Sequence, residues 1–150
     1  MKRSMALILG AAAVATLTGC PFGASYTGPT ACALLTAPLA QSVIGAQAKQ
    51  TSSEKLSDYV TTCEYRNGLN TVSVEAGSWG WYSHTAKGPA VAGIGDEAYM
   101  SPSGLLVRKG GNGILVNLTV TGDFREPVAK SAAREDKLKK ELASKLVANI

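Results

Sequence analysis

Histidine is almost missing from this chain: His84 is the only one in 150 residues. Most metal and acid–base chemistry goes with it. A metal site needs several ligating side chains brought together, and a histidine base needs a third group to orient it. The three cysteines contain no Cys-x-x-Cys pair, no Gly-x-Ser-x-Gly elbow presents a serine nucleophile, and no Gly-x-Gly-x-x-Gly fingerprint occurs. Internal repeats and low-complexity tracts are also missing. Charged residues make up only 17 % and the net charge is +4, so the chain shows neither a nucleic-acid footprint nor a polybasic membrane signal. No catalytic residue, cofactor or metal ligand is assigned, and no enzyme activity is expected.

What is present begins at the N-terminus. Basic Lys2 and Arg3 precede an uncharged stretch from Ser4 to Gly19 that is rich in Ala, Leu and Ile, and Leu17-Thr18-Gly19-Cys20 follows the pattern of a lipobox. The stretch is shorter than the roughly 20 apolar residues a spanning helix needs, and Gly10, Thr16 and Thr18 interrupt it. An ordinary cleaved signal remains the alternative. Residues 1–19 are thus expected to be a lipoprotein signal peptide, with Cys20 carrying a thioether-linked diacylglycerol and palmitoyl-type acyl chains. Attachment to the cell membrane at its extracytoplasmic face would then come from that lipid, at roughly 0.8 kcal/mol per buried methylene. Without Lys2 and Arg3 the net charge falls from +4 to +2.

Residues 20–30 mix Gly, Pro, Ser and Thr without a hydrophobic period and read as a lipidated tether. Residues 31–150 are enough for a single globular domain. With Cys20 assigned to lipid, Cys32 and Cys63 remain as a pair, and two thiols in a small exported domain normally oxidise to a disulfide. A metal or redox pair is the alternative. A short helix is expected after Thr36, a candidate N-cap, with Pro38 in its first turn and Gly45 at its stop. Leu39 and Val43 share one side of it, with Ile44 beside them. Polar residues 46–58 read as a surface connection.

Thr61 to Ala76 has the pattern of a hairpin turning at Asn67-Gly68. Cys63 and Tyr65 fall on one face of its first strand, and Val72, Val74 and Ala76 on one face of its second. Cys63 would then point inward, toward Cys32 beside the first helix. A meander follows over Glu97–Met100, Leu105–Lys109 and Ile114–Thr121, with turns at Ser101–Gly104 and Gly110–Gly113. Pro127 opens a helical run to the end, where Leu138, Leu142, Leu146 and Ile150 recur every four residues. That stripe predicts a face docked on the sheet, with membrane-surface binding as the alternative. The fold expected is α+β: an antiparallel sheet of about five strands, a short N-terminal helix, a long amphipathic C-terminal helix and one disulfide.

Between hairpin and meander lies Gly77-Ser78-Trp79-Gly80-Trp81-Tyr82-Ser83-His84, which holds both tryptophans. Trp79 and Trp81 would share a face if this stretch were extended. Aromatics on a glycine-hinged loop suit a glycan or a protein partner, so Trp79, Trp81 and Tyr82 are the candidate ligand contacts, and capping of the sheet's core is the alternative. Gly93-Ile94-Gly95-Asp96-Glu97 reads as a tight turn in which Asp96 accepts backbone N–H bonds at a corner. Asp96 and Glu97, adjacent in a strand, would point apart.

The lipobox, Cys32-Ala33-Leu34-Leu35-Thr36 leading into a helix that ends at Gly45, Cys63-Glu64-Tyr65, and Gly93-Ile94-Gly95-Asp96-Glu97-Ala98-Tyr99 before paired strands together resemble the small actinobacterial lipoproteins of domain-of-unknown-function family 3558. The resemblance covers most of residues 30–150, and the Trp-rich segment departs from the family's pattern. It implies an exported α+β domain with an antiparallel sheet, a disulfide and no established activity. The function expected is a non-enzymatic, lipid-anchored binding or accessory module of the bacterial envelope. The alternatives are a structural accessory of a membrane complex and, further off, a small envelope hydrolase.

Overall fold

A computed structural model describes residues 25–82, 84, 85, 87–121 and 127–150. Residues 1–19, expected to be a signal peptide, Cys20, the first part of the expected tether, Ser83 and the expected Gly122-Asp123 break lie outside the described residues.

Six strands form one sheet: β1 (Lys49–Ser57), β2 (Val60–Asn67), β3 (Asn70–Ser78), β4 (Glu97–Ser101), β5 (Gly104–Lys109) and β6 (Asn112–Thr119). Their order is β1-β2-β3-β6-β5-β4 and every neighbouring pair is antiparallel. Two three-stranded meanders therefore stand side by side, joined where β3 meets β6. The helices are α1 (Ala31–Leu34), α2 (Ala37–Ile44), α3 (Trp79–Tyr82) and α4 (Val128–Val147). The α+β expectation holds, with six strands in place of five.

The additional strand is β1, which the polar stretch 46–58 hid. It lies at the sheet's edge with most of its residues exposed, so it has no apolar face to produce an alternation. Main-chain pairing to β2 holds it, helped by Thr51 Oγ1 donating to Glu64 Oε1 at 2.8 Å. Two register shifts, together with Lys49 and Lys55, make this edge a poor template for further strands.

The core lies on the face where Cys63, Tyr65, Val72, Val74 and Val116 meet α1, α2 and α4. The hairpin has the expected faces but a different turn. Asn67 pairs with Asn70, leaving Gly68-Leu69 as the central residues, and only Gly68 (φ 60°) has a positive φ. A glycine in the first central position fits a type II′ turn better than the expected Asn-Gly geometry. Asn67 is freed for another task, and its Nδ2 donates to the carbonyl of Ile44 at 2.8 Å, closing the end of α2.

Helix α2 starts after Thr36 and ends at Gly45 as expected, although the Thr36 side chain makes no capping bond. Its buried residues are Ala40 and Ile44, while Leu39 and Val43 pack at the core's margin. Thr30 caps α1, accepting from the Ala33 amide at 3.3 Å. Cys32 and Cys63 form the disulfide, with Cα atoms 5.0 Å apart, and bind α1 to β2. Leu142, Ala143 and Leu146 of α4 are buried, with Leu138, Val147 and Ile150 at the margin. The C-terminal stripe is therefore spent on the core and not on a membrane surface. Among the described residues no helix is long and apolar enough to cross a membrane.

Candidate functional site

The chain leaves β3 at one end of the sheet, beside the β1–β2 turn. There the Ser78 amide donates to the Tyr59 carbonyl at 3.1 Å and the Trp79 amide to that of Gly111 at 2.8 Å. The next four residues close into a helical turn, α3, instead of extending. Successive helical residues are about 100° apart, so Trp79 and Trp81 diverge, contrary to the shared face expected of a strand. Tyr82 turns onto the sheet face away from the long helices. It packs there with Val60 and Leu106 in a second small cluster, rimmed by Trp79 and Leu115. It is 2 % exposed, which makes it a core residue and removes it from the candidate contacts. Trp81 is 51 % exposed and stacks on Tyr59, with ring centroids 6.4 Å apart and planes 13° from parallel.

The glycine motif meets the same end of the sheet. Gly93 (φ 81°) and Gly95 (φ 62°) adopt a backbone that side chains rarely take, and Ile94 between them is buried in the main core. Asp96 occupies the corner as expected. Its Oδ2 accepts from the Gly110 amide at 2.7 Å, its Oδ1 lies 3.5 Å from Lys109 Nζ, and its own amide donates to the Arg108 carbonyl at 2.9 Å. The Gly110 hydrogen bond, helped by Lys109 and Arg108, holds its carboxyl below the usual range.

Glu97 engages different partners. Its Oε1 is 2.6 Å from Arg108 Nη2, and its Oε2 accepts from the Tyr99 hydroxyl at 2.9 Å. The Tyr99 hydrogen bond and the nearby Arg108 and Lys87 lower its pKa, and the same bond raises that of Tyr99. Lys87 Nζ stands 5.2 Å from the Trp79 ring centre and 4.8 Å from that of Tyr99, and the Arg108 guanidinium is 5.9 Å from the Trp79 ring. The result is a strip of Trp79, Lys87, Tyr99, Arg108 and Glu97 in which rings alternate with charges. In such a strip the rings supply rigid area and the charges supply direction.

Comparison with models of protein families, with curated proteins and with solved structures finds no match to this chain. Among the described residues no three of His, Cys, Asp and Glu gather into a group that would hold a metal ion. His84 is exposed.

Of the three sequence candidates, the structure brings Trp79 into the strip, leaves Trp81 outside it beside Tyr59, and buries Tyr82. Sequence reasoning missed Lys87, Tyr99, Arg108 and Glu97 as neighbours of Trp79. The spacing of Glu97 and Tyr99 did carry a signal, because residues two apart in a strand share a face. A cleft of about 380 Å³ lies at the β1–β2 turn, lined mainly by Tyr26, Lys55, Ser57, Asp58 and Val60.

Proposed function

We propose that this chain is a non-enzymatic binding module of the bacterial cell envelope, anchored at the extracytoplasmic face of the cell membrane through lipidated Cys20 and related to the family 3558 lipoproteins. Its ligand is a glycan or an envelope protein. The observation that carries this is the strip itself: Trp79 is held by Lys87 and Arg108 on a sheet face that the long helices do not cover. The geometry is fixed by contacts within the strip, among Tyr99 and Glu97 on β4 and Arg108 on β5, and a rigid surface binds with less entropic loss than a mobile one. Lipobox, cysteine pairing and charge all fit the envelope assignment.

The test is titration of the purified full chain with soluble cell-wall glycan fragments, followed by tryptophan fluorescence. A saturable change that Arg108→Ala and Lys87→Ala each weaken at least tenfold supports the proposal. If glycans give no change, cross-linking from Lys87 in intact host cells should capture one envelope protein in wild type and not in Arg108→Ala. Failure of both ends the proposal.

A further inference from the structure

We infer that the end of the sheet carrying Tyr59 and Trp81 rests on the surface of the bilayer that holds Cys20, with Trp81 and Leu56 in the headgroup region. The inference depends on the lipid anchor proposed above.

The chain returns from the lipid to a defined place. The Tyr26 amide donates to the Asp58 carbonyl at 2.8 Å, which pins the tether to the β1–β2 turn, and the Tyr26 hydroxyl donates to the Pro29 carbonyl at 2.8 Å. Tyr26 follows Cys20 by six positions. At no more than about 3.6 Å per residue, the lipidated sulfur stays within roughly 20 Å of that turn. One end of the sheet is thereby kept beside the bilayer.

Of the four exposed large apolar side chains among the described residues, Leu56 and Trp81 lie toward that end, while Leu69 lies at the opposite β2–β3 turn and Val128 at the start of α4. Leu56 is 52 % exposed and Trp81 51 % exposed, and Trp81 stacks on Tyr59 of the β1–β2 turn. Tryptophan and tyrosine partition to the membrane–water boundary, because their rings are apolar and their N–H and O–H groups need polar partners. The charges fit such a contact as well. Lys55 pairs with Asp58 at 2.7 Å and Lys109 with Asp96 at 3.5 Å. The surface is therefore close to neutral, and seating it does not depend on an anionic lipid. The orientation follows: the β2–β3 and β4–β5 turns point away from the membrane, and the Trp79 strip lies on the half of the sheet nearer to it.

The test uses the full chain purified from membranes of its own host and reconstituted into phosphatidylcholine vesicles, with and without phosphatidylcholine brominated on its acyl chains. Intact mass of the same sample reports the lipid on Cys20. The expected result is a lipidated chain whose tryptophan fluorescence is quenched by the brominated lipid. Trp81→Phe should lose most of that quenching and Trp79→Phe should keep it, with thermal unfolding of Trp81→Phe unchanged as the check on folding. A lipidated chain whose Trp81 is not quenched overturns the inference and leaves the anchor standing, as does a dimer that shields Trp81 in light scattering. A chain without lipid on Cys20 overturns the anchor, and the inference with it.

Discussion

The ring of Tyr82 occupies the space that a β-carbon on Gly113 would need, and Trp79 closes the same space from the side. Gly113 stands opposite Gly77 on β3 and Arg108 on β5, so a bare backbone there lets α3 seat on the sheet. Gly113→Ala should force Tyr82 or the backbone to move and cost about 1–3 kcal/mol, the usual range for overpacking. Urea unfolding measures the loss. A shifted tryptophan emission in the folded variant would show that Trp79 moved with it.

The Tyr82 hydroxyl is buried and has no hydrogen-bond partner among the described residues. A buried polar group left unpaired costs about 1–3 kcal/mol, so Tyr82→Phe should match wild type or exceed it by up to about 1 kcal/mol at neutral pH. Burial also drives the phenol far above its ordinary value. A tyrosine raised in the folded state contributes full stability below its unfolded pKa, near 10, and loses it as pH climbs above that value. Tyr82→Phe should therefore flatten the alkaline limb of stability against pH. An unchanged alkaline limb would contradict the burial seen here.

What could be read from the sequence was the part of the fold governed by one-sided burial. Cys63 and Tyr65 on β2, and Val72, Val74 and Ala76 on β3, announce their inner face because that face alone is covered. β1 gave no such signal, since an edge strand without a covering layer has nothing apolar to alternate. The Trp-rich turn misled for a different reason. Trp79 and Trp81 share a face only in an extended chain, and the choice of a helical turn depends on Gly113, far away in sequence and bare of side chain. Lys87 belongs to the site through contacts with residues on two other elements, and no local pattern encodes that.

The Cys32–Cys63 bond ties α1 to β2 across a sequence separation of 31. In the chain-entropy model this stabilises the folded state by roughly 3–4 kcal/mol at 25 °C. Cys32→Ser/Cys63→Ser together should lower stability by about 2–4 kcal/mol in urea, and reductant should affect wild type alone. Thiol labelling of the native chain should mark neither cysteine before reduction.

Two carboxylates should respond to pH in opposite directions. Asp96 has its pKa lowered, first by the Gly110 amide and then by Lys109 and Arg108. Its contribution is present above its unfolded pKa near 4 and is lost as pH falls through the lower folded value. Glu75 is different. It sits on β3 opposite Leu115 and Thr62, and burial raises its pKa. Its proton is retained more readily in the folded state, so it favours folding at acid pH and loses that contribution as pH rises through the folded pKa. Asp96→Asn should thus lower the unfolding midpoint at pH 7, with the difference fading in acid. Glu75→Gln should raise the midpoint at pH 7, with its advantage gone below about pH 4. Thermal unfolding of wild type and both variants across this range checks the two signs together. Parallel curves for Glu75→Gln and wild type would mean that Glu75 is fully solvated in the folded chain.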